Sequence, residues 1–412
     1  MSMAAAIEAR SGVKGWCPGV LRPMQSGDGL IVRVRPRIGT FSLDEVRALA
    51  DLAGRLGNGH VDLTRRANLQ IRGLEEEALS ELQAELGRLG LVDSDAESEA
   101  VRNVMVAPLA GIGSGVRRVA MAVEALLASD RRLLDLPTKF GLSIDDGGPV
   151  SIAGERADIC LRAVGNDFVV GLDSREGTRW LGACAPNAAV NVVSTAMHAF
   201  LDCAPHRRLR DLPEVDQVRV QATVSPLLSE LPSFDGTGGR VLGLVQGAVG
   251  IAAPFGRLEA FHLNQLADLA AMAGADEMRL SPWRTVYVTV RDAAAGRALL
   301  DGAEAMGLIV RDDDPVLRIE ACPGAPDCTS SSVDARGDAR RMASLAVAKS
   351  FTGSIHVSGC AKGCARSAPS DLVLVGNVGR YQVIRHATTR GPAERLVDAD
   401  DLASVFLETP HG

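Results

Sequence analysis

Apolar and polar residues alternate along GLIVRVRPR, residues 29–37, which is the period of a half-buried strand. Ser42 and Glu45 then form a capping box. Leu43, Val46, Leu49, Ala53 and Leu56 recur on one face of the helix it opens, and GNG at 57–59 ends that helix. A second strand is predicted over VDLTRRANLQIRG, residues 61–73, followed by a helix carrying Leu79, Leu82, Leu86 and Leu89 that stops at Gly90. Alternation along the second strand puts Asp62, Thr64, Arg66, Asn68, Gln70 and Arg72 on one face, and Leu63, Arg65, Ala67, Leu69 and Ile71 on the other. Apart from Arg65 the latter is a core face. The former reads equally as a solvated face or as a ligand surface. Arg33, Arg35 and Arg37 also share a face, and Pro36 marks it as a sheet edge, where exposed arginines are common.

The pattern occurs twice. LADLA at Leu49 returns at Leu266, an offset of 217, and the same offset brings Leu82 to Leu299 and GLV at Gly90 to GLI at Gly307. Two copies of a strand–helix–strand–helix unit imply an α+β protein with sheets packed against helices. The offset sets Trp283, Thr285, Tyr287 and Thr289 at the places of Arg66, Asn68, Gln70 and Arg72. One half would then offer charge and amides and the other rings and hydroxyls, a set suited to a large flat anion. A weaker similarity follows each copy, KFGLSIDDGG from Lys139 with SFTGSIHVSG from Ser350, and ADICL at 157 with SDLVL at 370. VSPLLSELPSFDGTGG, residues 224–239, reads as the linker between the halves.

At 412 residues the chain exceeds one ordinary core. Aromatic residues make up 3% and the net charge is -7, which leaves few rings to stack on bases and no global attraction to phosphate, so nucleic acid is excluded as a partner. No run of eighteen apolar residues and no signal-peptide pattern at the N-terminus appear, so a cytoplasmic protein with no membrane partner is expected. There, eight cysteines read as thiols or metal ligands rather than disulfides.

Four of them cluster. Cys322 and Cys328 stand in C-x5-C, and Cys360 and Cys364 in C-x3-C. The first loop would reach roughly 20 Å if extended, so it must turn back, and Pro323, Gly324, Pro326 and Asp327 are turn formers. Four thiolates suit zinc or an iron-sulfur cluster. Zinc knuckles favour two-residue gaps, while a cubane accepts longer loops, and Gly359 and Gly363 let backbone amides approach its sulfides. Lys362 offsets part of the thiolate charge. The spacing favours a [4Fe-4S] cluster over structural zinc, with unligated thiols as the third reading.

With its twofold repeat and paired cysteine motifs, the chain resembles the sulfite and nitrite reductase hemoprotein superfamily over nearly its whole length. The resemblance implies a pseudo-twofold repeat of ferredoxin-like units with two reductase-type α+β segments. These are 1–95 (first ferredoxin-like unit), 96–223 (first reductase-type domain, without cluster cysteines), 224–312 (linker and second ferredoxin-like unit) and 313–412 (second reductase-type domain, with the cluster). It also implies a cluster on Cys322, Cys328, Cys360 and Cys364, the last shared with siroheme iron. Anion-binding places fall on Arg66 in TRRANLQ, Arg102 in RNVMVAPLAG and Lys139 in LPTKFG, but a second lysine place holds Gly141. Reducing a small oxyanion needs concentrated positive charge, so that departure argues against it.

Within the superfamily, WCPGVLRPMQSGDGLIVRVRPRIG, LPTKFGLSIDDGG, RLSPWRTV and SGCAKGCARSAPSDLVLVG resemble the precorrin-3B synthase family. This implies an oxidoreductase, a monooxygenase of aerobic cobalamin biosynthesis that hydroxylates the tetrapyrrole precorrin-3A and closes a γ-lactone with dioxygen and NADH-derived electrons. The alternative is a siroheme-dependent sulfite or nitrite reductase, and a reading outside enzymes is an iron-sulfur electron carrier or a zinc-stabilised binding protein. Arg66, Arg102 and Lys139, with Asn68 and Gln70, would bind substrate carboxylates or shape the oxygen site. The family implies a mononuclear non-haem iron as well, whose ligands are not visible among the histidines at 60, 198, 206, 262, 356, 386 and 411. His198, Asp202 and His206 read as surface or packing residues, and His356 as part of a strand beside the cluster. No dinucleotide fingerprint follows a strand, so electrons would arrive through a partner reductase or ferredoxin.

Overall fold

The computed structural model describes residues 17–111, 113–205, 207–235 and 238–406; Trp16, His206 and His411 lie outside them. The first repeat supplies β1 (Met24–Ser26), β2 (Gly29–Val34), β3 (Thr40–Ser42), α1 (Leu43–Leu56), β4 (His60–Leu63), β5 (Leu69–Leu74) and α2 (Leu79–Arg88). The capping box at the start of α1 forms as predicted. The Ser42 hydroxyl accepts from the Glu45 N–H at 3.2 Å and the Glu45 carboxylate accepts from the Ser42 N–H at 2.7 Å. Leu43, Val46, Leu49 and Ala53 are buried along its inner face.

Residues 61–73 are not one strand. β4 and β5 pair antiparallel, Asp62 opposite Gln70 and Leu63 opposite Leu69, about a turn in which Ala67 takes φ 52°. Thr64 closes the turn. Its N–H donates to the Asn68 carbonyl at 2.9 Å, and its hydroxyl accepts from the Arg66 and Asn68 N–H groups at 3.3 and 3.2 Å. A side chain that satisfies local backbone groups in this way competes with continuation of the strand. The single row of polar residues through Arg66, Asn68 and Gln70 is therefore replaced by a hairpin with Arg65 and Arg66 at its tip.

The chain continues through α3 (Ala96–Val101), β6 (Val104–Val106), α4 (Gly115–Ser129), β7 (Leu142–Asp145), β8 (Ile159–Val164), β9 (Asp167–Ser174), β10 (Gly177–Cys184), α5 (Pro186–Leu201) and α6 (Glu214–Val224). The second repeat then gives β11 (Gly243–Val245), β12 (Ala248–Ala252), β13 (Arg257–Glu259), α7 (Ala260–Met272), β14 (Glu277–Leu280), β15 (Thr285–Thr289) and α8 (Ala293–Ala305). The repeat extends to the backbone conformation. Ile38, Gly39, Ala67 and Gly90 have φ 47°, 75°, 52° and 70°, and their counterparts at the offset, Phe255, Gly256, Arg284 and Gly307, have 56°, 83°, 59° and 75°. The two copies also exchange an edge strand. β3 pairs with β14, Phe41 opposite Met278, while its counterpart β13 pairs with β4, Leu258 opposite Val61. Two five-stranded sheets result, in the orders β1-β2-β5-β4-β13 and β11-β12-β15-β14-β3.

The last segment comprises β16 (Ile319–Ala321), α9 (Ala335–Ala348), β17 (Ile355–Ser358), β18 (Ser370–Asn377), β19 (Arg380–Ala387) and β20 (Arg395–Asp398). β16, β17 and β18 run parallel, and β19 and β20 add antiparallel; β6 to β10 repeat this topology. Ile159 pairs with Leu142 and Leu372 with Ile355, so ADICL and SDLVL are true counterparts. KFGLSIDDGG and SFTGSIHVSG correspond two residues out of the register their text suggested, Leu142 matching Ile355 rather than Gly353. Ile355, Val357, Leu372, Leu374 and Tyr381 form a core with Ala339, Met342 and Ala346 of α9.

The residues fall into two compact units. One contains 17–24, Val32–Ile38 and Glu85–Gly239, and the other Gln25–Ile31, Gly39–Ala84 and the chain from Arg240 onward. No helix among the described residues is long and apolar enough to cross a membrane.

Candidate functional site

Cys322 follows β16 directly, and its N–H donates to the Val357 carbonyl at 3.3 Å. Beyond it the loop folds back as expected, through a cis Ala325–Pro326 bond and an Ala325 N–H donated to Val333 at 2.8 Å. Cys360 and Cys364 lie in the loop after β17. The two loops are joined at the first thiol, where the Gly359 N–H donates to Cys322 Sγ at 3.1 Å. Close approach explains the glycines. A Cβ on Gly359 would stand 2.2 Å from Ser331 Oγ, and one on Gly324, at φ 72°, would stand 2.4 Å from the Ala335 nitrogen. The turn between β1 and β2 rests on the same loop, since a Cβ on Gly27 would lie 2.5 Å from the Thr329 nitrogen and 2.8 Å from Cys328 Cα.

Cys322 is buried, Cys328 and Cys360 are half-buried and Cys364 is exposed. Burial pushes the Cys322 thiol pKa up, the Gly359 and Gly324 N–H groups oppose this, and Cys328 and Cys360 add to the rise. Burial raises Cys364 as well, reinforced by Cys322, Cys360 and Cys328 and opposed by Lys362. The four thiols thus act on one another, with backbone donors facing the innermost, a donor set that fits a group rich in soft iron and sulfide. In the first reductase-type sheet Ala107 donates to Ile144 as Cys322 does to Val357, so alanine occupies the equivalent place.

The hairpin tip carries Arg65 and Arg66, with Asn68 buried and Gln70 half-buried behind it. Beneath it lies a charge cluster that sequence patterning did not reveal. Asp62 is buried and paired with Arg257 at 3.0 Å and with Arg336 and Arg72 at 3.4 Å. Arg257 also pairs with Asp327 inside the C-x5-C loop, and Arg72 with Asp28 at 2.8 Å. Burial acts to raise the Asp62 pKa, but Arg336, Arg257 and Arg72 outweigh it and hold the carboxyl well below its usual range. Burial lowers Arg336 to about 10. Asp62 was visible as one member of a polar row, whereas nothing local marked Arg257 or Arg336, 195 and 274 positions away.

Arg102 and Lys139 belong to the other unit. Arg102 is buried and its guanidinium is used internally. It donates to Asp93 through Nε and Nη2, both at 3.0 Å, to Pro36 O at 3.1 Å and to Arg35 O at 3.3 Å. Arg35 is buried as well, not on an exposed edge, and pairs with Glu99 at 3.2 Å; burial lowers it to about 10. Glu99 also accepts from the Val20 and Leu21 N–H groups at 2.6 and 3.0 Å. Lys139 is exposed on a turn held by Asn103, whose amide donates to the carbonyls of Ala100, Thr138 and Phe140 at 2.9, 3.3 and 3.1 Å. Asn103 stands inside RNVMVAPLAG but has no local signal of its clamping role. A Cβ on Gly141 would meet nothing nearer than Asn103 O at 3.5 Å, so the backbone leaves room for the side chain that is missing there.

His198 bonds Asp130 at 2.8 Å, and Arg132 stands against both His198 and Asp202. His356 is fully buried in β17, and burial lowers its pKa to about 4. Among the described residues no three or more His, Cys, Asp or Glu, the four thiols included, are placed to hold a single metal ion, as distinct from a cluster of several iron and sulfide atoms.

The repeat, the exchanged strands and the thiol loops define a protein of the nitrite and sulfite reductase class. The family model for the nitrite/sulfite reductase ferredoxin-like half domain matches residues 22–89. The solved structure of the Mycobacterium tuberculosis NirA protein superposes with a TM-score of 0.70 over 91% of this chain and 79% of its own, at 22% identity, which shows the fold. A sulfite reductase [ferredoxin] of Mycobacterium tuberculosis is 25% identical, covering 84% of this chain and 70% of its own length. A ferredoxin–nitrite reductase of Synechococcus elongatus is 26% identical, covering 86% and 77%. A precorrin-3B synthase of Sinorhizobium sp is 31% identical over 95% of this chain and 87% of its own. The chain belongs to the precorrin-3B synthase family.

Proposed function

We propose that this protein is an oxidoreductase that converts precorrin-3A to precorrin-3B. The observation that carries the reading is the 31% identity to a precorrin-3B synthase, sustained over 95% of the chain. One atom of dioxygen enters the macrocycle at C20, where the new centre permits lactone closure by the ring A acetate. The other atom leaves as water, with two electrons drawn ultimately from NADH through a reductase or ferredoxin. Cys322, Cys328, Cys360 and Cys364 would hold a [4Fe-4S] cluster, which supplies single electrons when bound.

The chain's own residues bind and orient. Arg66 at the hairpin tip and exposed Lys139 would take substrate carboxylates, each charge-assisted bond contributing about 1.5–3 kcal/mol. Asn68 and Gln70 would add neutral hydrogen bonds or shape the oxygen site. Arg102, engaged by Asp93, is a positioning residue for the 35–37 segment rather than a ligand. Gly141, where the backbone leaves room for a longer side chain, keeps positive charge low and favours a bulky substrate over a small oxyanion.

Aerobic incubation of the reconstituted protein with precorrin-3A and a reductant should yield a product heavier by one oxygen atom, labelled when the dioxygen is labelled. Product lacking the label, from protein shown to carry iron and sulfide, rejects the reading.

A further inference from the structure

A cavity of about 120 Å³ opens among the second repeat and the start of the cluster domain, within one compact unit. Ala252, Phe255, Ile309 and Val316 make an apolar wall, and Arg65, Trp283, Arg284 and Glu320 bring polar groups to it. Three guanidinium groups converge on the Glu320 carboxylate. Arg366 stands 2.9 Å away, Arg65 3.2 Å and Arg284 3.9 Å. Three positive charges facing one negative charge leave a net positive excess, least screened at Arg284 and Glu320, whose side chains are 19% and 17% exposed, and most screened at Arg65, which is 54% exposed.

Arg284 is the least satisfied of the three. Its side chain donates no hydrogen bond among the described residues, and its one ion pair is the 3.9 Å approach to Glu320, too long for a hydrogen bond. Burial lowers its pKa, opposed by Glu320, reinforced by Arg65 and opposed more weakly by Asp62. The backbone nonetheless holds it in place. Arg284 occupies the hairpin turn at φ 59°, and a Cβ on Gly256, itself at φ 83°, would stand 2.6 Å from Arg284 Cδ. A half-buried guanidinium whose donors meet no acceptor among the described residues, held at a turn beside a cavity with an apolar wall, has the features of a site for an anion with a hydrophobic end.

We infer that this cavity is a carboxylate-binding subsite, with Arg284 and Arg65 taking the carboxylate and the apolar wall taking a short aliphatic chain. Its volume is below the roughly 150 Å³ that accepts a benzene ring, so the fitting group has about five non-hydrogen atoms, the size of propionate. Such a group comes either as a free short-chain acid or as one arm of a larger polycarboxylate. The inference stands apart from the proposed oxygenation and from the four thiols.

Calorimetric titration of the full chain with sodium propionate tests it. Saturable binding is expected, weakened at least tenfold in Arg284→Gln and strengthened several-fold in Glu320→Gln, which removes the competing carboxylate. A merely structural role for Glu320 would not strengthen binding. Phenylglyoxal labelling of the unaltered protein, mapped by mass spectrometry, gives a second readout that needs no variant, and propionate should protect Arg284 and Arg65. Competition between propionate and uroporphyrin III, which carries acetate and propionate arms, assigns the site to an arm; independent binding assigns it to a free acid. Absence of saturable propionate binding with absence of protection overturns the inference, as does equal affinity in a folded Arg284→Gln.

Discussion

Replacing Asp62 by asparagine keeps the shape of the side chain and removes the charge that Arg72, Arg257 and Arg336 share. Two of the three would retain an acid, Arg72 with Asp28 and Arg257 with Asp327, whereas Arg336 has no other acidic partner among the described residues and its Nε already lacks one. Breaking a buried pair costs about 3–5 kcal/mol, and the two retained partners place this case at the lower end, about 3 kcal/mol. At roughly 2–4 °C per kcal/mol for domains of 150–250 residues, the melting temperature should fall by about 6–12 °C. Because Arg257 ties Asp62 to Asp327 between Cys322 and Cys328, the iron and acid-labile sulfide content expected of the proposed cluster should fall too. The acid limb supplies a sign. Asp62 has a folded pKa below its unfolded value of about 3.9, so its contribution is complete above that pH and is lost as pH falls through the folded value. Asp62→Asn should therefore flatten the stability profile below about pH 4, and adding Arg336→Met should recover part of the loss. Denaturant unfolding at several pH values measures all of this. A variant within about 1 kcal/mol of the parent at pH 7, with an unchanged acid limb, would refute the reasoning.

Gly27→Ala should lower sulfide content, since its Cβ would press on backbone atoms at Thr329 and Cys328; Gly87→Ala, with nothing within 4 Å, should instead gain about 0.5–1 kcal/mol by helix propensity. Asn103→Ala should cost about 1–3 kcal/mol by leaving carbonyls unpaired. In precorrin-3A assays it should raise KM more than it lowers kcat, because the turn bearing Lys139 loosens; an unchanged KM would count against that turn as a binding element. His356, lowered to about 4 in the fold against 6.5 unfolded, should contribute stability that is complete above pH 6.5 and declines as pH falls toward 4, up to about 3 kcal/mol. His356→Leu should abolish that part of the slope, measured by unfolding between pH 7 and 4.

Much of the fold was legible. The 217-residue repeat, read from LADLA, reappears in the positive φ angles of Ala67 and Arg284 and of Gly90 and Gly307, and the Ser42 capping box forms as written. The thiol spacing likewise implied a loop that turns back at Pro323 to Asp327. The hairpin at 64–67 was not legible, because Thr64 and Ala67 carry none of the usual Gly, Asn or Pro signals and alternation resumes on either side with Arg65 as its one exception. Nor was the commitment of Arg102 to Asp93. A motif gives an arginine's place in the chain, while its availability depends on which acid the fold brings beside it.

The amino-acid order by itself thus determined the features that arise among near neighbours: helix starts and faces, turns at glycine, the duplication and the two cysteine loops. These follow from short-range sterics, capping and periodic burial. Only the tertiary structure decided that β3 and β13 would trade sheets, that Asp62 would face Arg257 and Arg336, and that Arg284 would stand beside a cavity with its donors unused. Strand pairing and ion pairing depend on which surfaces meet after folding, and residues hundreds of positions apart carry no local mark of that meeting.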